Sequence, residues 1–335
     1  MKAYALFTLL LATTIGTPMA VAQNSTSEID THIAAAKTAA GLDYRATFVN
    51  LCFPTPFPGG PRGAAALLTP RPAPDRGIWY ASPYQVFDNL YWLGTRQHSS
   101  WALKTSAGLI IIDTNFAWAT QPEILDGLAK LKLDARDIKY VILSHAHGDH
   151  DQGVATLQSK FGAKVVMGGP DWDTTLQRAP DVAGGVPKRG PGDISVGTEG
   201  TKVTLGDTTV DVIFTPGHSP GTLSYVFPVK DKGKTVMVAY SGGTLTGAFG
   251  TDGKRWDEYI DSQKRIAQAA SAAGASVILS NHSEYDNAYT KARLVAVKRE
   301  VGEGNPFIST PQSAQDYFTV MEECATAAKL RNGAK

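Results

Sequence analysis

The chain holds 335 residues, and its 32 Lys and Arg against 31 Asp and Glu leave a formal net charge of +1. That balance supplies neither a basic surface for nucleic acid nor a polybasic stretch for an anionic membrane, so the expected partner is a small molecule in a cleft. Hydrophobic residues at 43% and charged ones at 19% exclude a disordered chain and leave one large globular domain with extensions, or at most two domains.

The amino terminus reads as an export leader over residues 1–22. Lys2 gives the positive start, Ala5 to Ile15 a short apolar run, and Ala20-Val21-Ala22 a small-residue cleavage pattern before Gln23. The run is too short to span a bilayer, and no Cys near the cleavage point suggests a lipid anchor. The mature protein is expected to be periplasmic or secreted, with no membrane association. In an oxidising compartment, Cys52 and Cys324 are expected to pair, tying the amino-terminal extension to a carboxyl-terminal helix.

Residues 23–83 form the extension. Ser27-Glu28-Ile29-Asp30 has the pattern of a capping box opening a helix that runs to about Ala40. Pro54 to Pro74 is too rich in Pro and Gly for helix or inner strand and reads as an extended arm. From residue 84 to 335 no composition break divides the chain, and the pattern is that of one domain. Strands are expected at Gln85–Phe87, Leu90–Gly94, Trp101–Thr105 and Gly108–Asp113, then a helix at Pro122–Leu131. A strand at Ile138–Leu143, a helix at Gly153–Phe161 and a strand at Lys164–Met167 follow, with Pro180 to Gly197 as loop. Strands resume at Lys202–Leu205, Thr208–Thr215, Thr222–Pro228 and Thr235–Tyr240. Helix Arg255–Ala273, strand Ser276–Leu279 and helices Ala292–Arg299 and Gln312–Leu330 complete the chain. Many short strands, followed twice by helices, point to an α/β fold with sheets inside and helices outside.

The chemistry concentrates where the Ile138–Leu143 run ends. His145, His147, Asp149 and His150 fall within six residues, a density of nitrogen and oxygen donors that suits zinc. His218 lies in a Gly/Pro turn (Pro216-Gly217-His218-Ser219-Pro220-Gly221), and His282 lies just past the apolar run Val277–Leu279. Five of seven histidines thus share one address, the turn after a strand, where donors converge in sheet-based sites. His32 reads as an exposed helix residue. His98, beside Ser99 and Ser100 between strands, is a candidate to line the pocket.

His-x-His-x-Asp-His at a strand end, a later Gly-His turn, a last His after a strand and an early strand closing on Asp113 together resemble the metallo-β-lactamase superfamily, over roughly residues 84 to 290. The resemblance implies a four-layer αββα sandwich with two Zn2+ at one edge. His145, His147 and His218 would hold the first ion, and Asp149, His150 and His282 the second. Asp113 would support the His loop from behind.

Many hydrolases of this fold, including thioesterases and lactonases, place a bridging Asp in a segment matching Tyr240-Ser241-Gly242-Gly243-Thr244-Leu245. No Asp stands there, nor the Cys of the best-known lactamase subclass. The ligand pattern is therefore most similar to the third subclass (B3) of class B β-lactamases, although Gly242 and Gly243 replace the segment expected to carry a substrate-binding serine. The implied activity is opening of a β-lactam amide by zinc-activated water, with Asp149 orienting the water or passing a proton. The alternatives are a hydrolase of the same fold acting on lactones, thioesters or other esters, and a non-catalytic zinc-binding protein. Ser219, Thr222, Ser283 and Tyr285 are candidate substrate contacts, and Trp101 and Trp172 candidate walls.

Overall fold

The computed structural model describes residues 18–54, 73–178, 182–244, 249–297 and 303–334, with side chains from Ser27 onward. Most of the expected leader and the heart of the Pro-rich arm (55–72) lie outside the described residues. Seven strands form one sheet in sequence order: β1 (Tyr84–Gln85), β2 (Leu90–Trp92), β3 (Trp101–Thr105), β4 (Gly108–Ile112), β5 (Ile138–Ile142), β6 (Lys164–Gly168) and β7 (Ile194–Val196). Its first four strands are antiparallel, and β4 to β7 run parallel. A second sheet has the order β12-β11-β10-β9-β8, built from β8 (Thr201–Leu205), β9 (Thr208–Phe214), β10 (Leu223–Asp231), β11 (Lys234–Ser241) and β12 (Val277–Ser280).

The apolar run of β4 explains the layering. Successive side chains point to opposite faces, so a continuous apolar strand must be covered on both. Ile110 and Ile112 join Trp92, Trp101, Val212, Tyr225, Phe227 and Tyr240 in the core between the sheets. Leu109 and Ile111 face outward, against Leu128 of α5 (Asp126–Lys130) and Leu157 of α7 (Val154–Phe161). On the other sheet, Val226, Ala239 and Ile278 are covered by α9 (Gly253–Ala272) and α12 (Pro311–Arg331). The result is the αββα sandwich.

The amino-terminal extension belongs to this outer layer. Helix α1 (Pro18–Ala40) lies along α12, and α2 (Arg45–Cys52) is joined to α12 by a Cys52–Cys324 disulfide. No helix among the described residues is long and apolar enough to cross a membrane.

Several local expectations differ. Helix α1 continues upstream of Ser27, so the capping box is not formed; Ser27 is inside the helix and its carbonyl accepts from Thr31 Oγ1 at 2.8 Å. His32 is half-buried and pairs with Glu323 of α12 at 2.5 Å, because the extension is packed down rather than free. The helix expected from Pro122 begins earlier, at α4 (Ala117–Ala119), and passes through a π-helical turn at Thr120–Leu125. Pro122 has no N–H to give an ordinary ladder, and a wider turn tolerates that loss. Helix α8 (Gly169–Leu176) was not expected, although Pro170 near its start is a helix-opening position. Strand β7 occupies part of the stretch expected to be loop.

Parallel pairing aligns the carboxyl ends of β4 with β5 and of β11 with β12 (Ile112 opposite Ile142, Ser241 opposite Ser280). Leu223 at the start of β10 donates to the Ser144 carbonyl at 2.8 Å, joining the two sheets there. Asp113, the His145–His150 segment, the His218 turn and His282 thus meet at one edge of the sandwich.

Candidate metal centre

Beyond β5 the backbone enters a buried turn and then one turn of helix, α6 (Gly148–Asp151), with His147 at its N-cap. His145 Nδ1 lies 2.9 Å from the Gly242 carbonyl, a contact that makes Nδ1 the protonated nitrogen and leaves the Nε2 lone pair facing the site. His218 Nε2 is 3.1 Å from His145 Nε2 and 3.2 Å from His147 Nδ1. Asp149 and His150, consecutive on α6, face a second group. Asp149 Oδ2 is 3.3 Å from His150 Nε2 and 3.4 Å from His282 Nε2, and these two nitrogens are 3.2 Å apart.

The spacing fits a tetrahedral ion. Zinc bonds of about 2.0–2.1 Å at tetrahedral angles put neighbouring donor atoms roughly 3.3–3.4 Å apart. Both groups match that edge, and imidazole nitrogen with carboxylate oxygen is a donor set zinc accepts.

Buried polar groups hold these side chains in place. Asp113 accepts from Ser144 N (2.6 Å), Ser144 Oγ (2.7 Å), Tyr240 OH (2.9 Å) and His150 Nδ1 (3.1 Å). Its φ of 57° is in the left-handed region, unusual outside glycine, and is held by this network. Asp171 of α8, which the motif reading missed, ties two donor loops together by accepting from Ala146 N, Gly221 N and Ser219 Oγ at 2.7–2.8 Å. Arg178 reaches the Ala146 carbonyl (2.7 Å) and pairs with buried Asp151 (2.6 Å). Arg255 of α9 donates to the carbonyls of Gly217 and His218 at 2.7 and 2.5 Å. A lone Asp or Arg in sequence gives no sign of such partners, most of which are backbone atoms of distant loops.

Protonation differs across the site. Burial keeps His145 well below the ordinary histidine range and holds His147 down at about 4, so both are neutral and available as donors. For His150 burial also disfavours charge, but Asp149 and Asp113 outweigh it and raise the pKa to about 10. His282 is raised to about 9, with Asp149 and Glu284 overcoming the same burial. Asp149 is itself held well below the carboxylate range, because His150, His282 and His98 outweigh its burial.

The expected substrate contacts turn inward. Ser219 Oγ bonds Asp171, Thr222 Oγ1 accepts from Ser219 N at 2.8 Å, and Ser283 Oγ accepts from Tyr289 N at 2.8 Å. Tyr285 is buried in the core beneath α9 and α12. Trp101 and Trp172 are fully buried core residues and form no wall of the site. The aromatic groups at its margin are others. Phe116 packs edge-on against His98 at 5.0 Å and stacks on Trp118 at 4.9 Å, and Trp118 meets Trp79 at 4.6 Å.

Gly242 and Gly243 leave no room for a side chain. A Cβ on Gly242 would lie 1.7 Å from the Leu223 carbonyl oxygen, and one on Gly243 would lie 2.6 Å from His218 Cβ.

Comparison with known proteins gives the same picture at the level of family. Residues 93–231 match the family model of the metallo-beta-lactamase superfamily. A subclass B3 metallo-beta-lactamase of Bradyrhizobium japonicum superposes with a TM-score of 0.63 at 29% identity, covering 76% of this chain and 95% of that one. A metallo-beta-lactamase from Legionella gormanii has a TM-score of 0.64 at 21% identity, covering 76% and 98%, a likeness of fold. Among curated sequences, a hydroxyacylglutathione hydrolase of Rhodopseudomonas palustris is 28% identical over 222 residues, 63% of this chain and 80% of that protein. The chain is thus similar to the metallo-beta-lactamase superfamily over residues 93–231, has that superfamily's αββα fold, and has a subclass B3 enzyme among its structural neighbours.

Proposed function

We propose that this is an exported zinc-dependent hydrolase that opens the amide bond of β-lactam rings. In this reading His145, His147 and His218 hold one Zn2+, and Asp149, His150 and His282 hold a second. Residues 1–22 are a removable leader, 23–83 a helix and Pro-rich arm, and 84–335 the catalytic domain. The disulfide supports an oxidising compartment.

The observation that carries the substrate class is the pair of adjacent donor groups with Gly242 and Gly243 beside them. The close contacts at both glycines argue against any carboxylate reaching between the groups from that segment, as in the thioesterases and lactonases of the fold. The 29% identity to a B3 enzyme supports the same choice. Zinc, when bound, supplies a Lewis acid and brings the pKa of water down to about 7. Asp149, ionised throughout the working pH range, is suited to orient the attacking water by accepting its hydrogen and then to carry that proton towards the leaving nitrogen. A serine nucleophile is disfavoured: Ser144 and Ser219, beside the histidines, are buried and already bonded to Asp113 and Asp171.

A second reading, thioester hydrolysis, is favoured by the relatives named hydroxyacylglutathione hydrolase. The test is to assay the chain from Gln23 onward, loaded with zinc, on a carbapenem, a lactone and a glutathione thioester, with and without chelator. Chelator-sensitive carbapenem opening is the expected result. Turnover of the esters alone selects the second reading, and no turnover on any substrate marks a zinc-binding protein without this activity. His147→Ala and Asp149→Ala are each expected to lower kcat/KM by at least about a hundredfold with loss of zinc.

A further inference from the structure

We propose that His98 is a substrate-binding residue whose Nε2–H donates a hydrogen bond to a carbonyl or carboxylate oxygen of the molecule in the site; this rests on the hydrolase reading above. The assignment begins at Thr95. Its Oγ1 accepts from His98 N at 2.9 Å and from Gln97 N at 3.3 Å. A hydroxyl has two acceptor positions and one hydrogen, so with both positions filled the hydrogen is left for His98 Nδ1, 3.2 Å away. Nδ1 is then the acceptor, and Nε2 carries the ring hydrogen. His145 is the reverse case, with its Nδ1 hydrogen on the Gly242 carbonyl and its Nε2 lone pair facing the site.

The hydrogen on Nε2 is directed at the site. Asp149 Oδ2 lies 3.6 Å from Nε2, too far to take that hydrogen up, and the His98 side chain is 15% exposed, so a bound molecule can reach it. The backbone fixes its position. His98 and His282 form an isolated antiparallel bridge between the β2–β3 connection of one sheet and the segment after β12 of the other. Ser99 N donates to the Asn281 carbonyl at 2.9 Å, and Ser283 N donates to the Gln97 carbonyl at 2.7 Å. The bridge sets the two imidazoles side by side with ring centroids 5.1 Å apart, and Phe116 backs the His98 ring.

The hydroxyls that would otherwise meet a substrate are spent elsewhere. Ser219, Thr222 and Ser283 are bonded within the protein, and Gly242 and Gly243 have no space for a side chain. A ring hydrogen held in place before binding costs little ordering when an oxygen arrives, which is what a recognition contact requires.

The experiment has two arms on the zinc-loaded chain from Gln23 onward. Nitrogen–hydrogen couplings in the histidine rings, measured by NMR with His98→Gln as the assignment control, should show the His98 hydrogen on Nε2. Then kcat and KM are measured for wild type, His98→Leu and His98→Gln on the carbapenem or the glutathione thioester, whichever is turned over, with its carboxylate free and as the methyl ester. His98→Leu is expected to keep its zinc and lose about tenfold in kcat/KM, and His98→Gln, whose amide also offers an N–H, to recover most of that loss. A rise in KM that vanishes with the ester identifies the carboxylate as the acceptor. A fall in kcat with both forms identifies the carbonyl, whose oxygen gains charge during the reaction. A hydrogen on Nδ1, loss of zinc from His98→Leu, or unchanged kcat/KM in that variant overturns the role of His98 and leaves the hydrolase reading in place. A wild type that turns over neither substrate overturns that reading, and this inference with it.

Discussion

Glu123 lies in the π turn, buried, with its carboxylate accepting from Ala81 N at 3.2 Å. Burial holds its pKa up at about 8. A carboxyl raised above its unfolded value of about 4.3 favours the fold in its neutral form. That contribution is complete below pH 4 and is lost as pH climbs through 8. Glu123→Gln is therefore expected to stabilise the protein by roughly 1–3 kcal/mol at pH 8 and by little at pH 4, read from denaturant melts at both. At the metal centre the sign runs the other way. His150 and His282, raised to about 10 and 9, hold protons at neutral pH that a metal must displace. Zinc affinity of their group should rise about tenfold per pH unit for each proton released. The group containing His145 and His147, which are already neutral, should respond less; competition with a chelator between pH 6 and 8 separates the two slopes. None of these protonation states is legible in the motif, because burial and facing charges come from other segments.

At the scale of the element, the motif was readable because its donors follow strand ends that the apolar pattern marks plainly. Leu109–Ile112 and Val277–Leu279 are continuous apolar runs, Ile138–Leu143 is interrupted only by exposed Lys139, and each closes on a polar residue that the fold delivers to one edge. What could not be read was the support. Asp171 sits on a helix opened by Gly169-Pro170, which reads as loop until the strand before it fixes the direction of the chain. His98 gains its neighbour only through a backbone bridge to His282, and pairing across so long a separation leaves no local signature. The β10–β11 pair carries its own constraint. Gly242 follows β11, its carbonyl holds His145, and a Cβ there would strike backbone that has no freedom to retreat. Gly242→Ala should destabilise by about 2 kcal/mol or more and lower zinc affinity as His145 is displaced. A thermal melt and a zinc titration test the two effects separately.

For the whole molecule, the disulfide fastens the amino-terminal helices to the layer over the second sheet. The cross-link spans 272 positions, a loop length for which chain entropy assigns up to about 5 kcal/mol. Cys52→Ala with Cys324→Ala should thus lower unfolding stability by a large part of that amount, measured against the oxidised protein in urea. The bond also gives the chain a topology. Every strand among the described residues, both donor groups, His98 and the supporting carboxylates lie between Cys52 and Cys324, so the candidate site sits inside a covalent ring. A single proteolytic cut within that ring opens it without separating the pieces. Nicked molecules would keep the mass of the intact chain on a non-reducing gel, fall into two fragments only under reduction, and retain their metal donors on one covalent assembly until then.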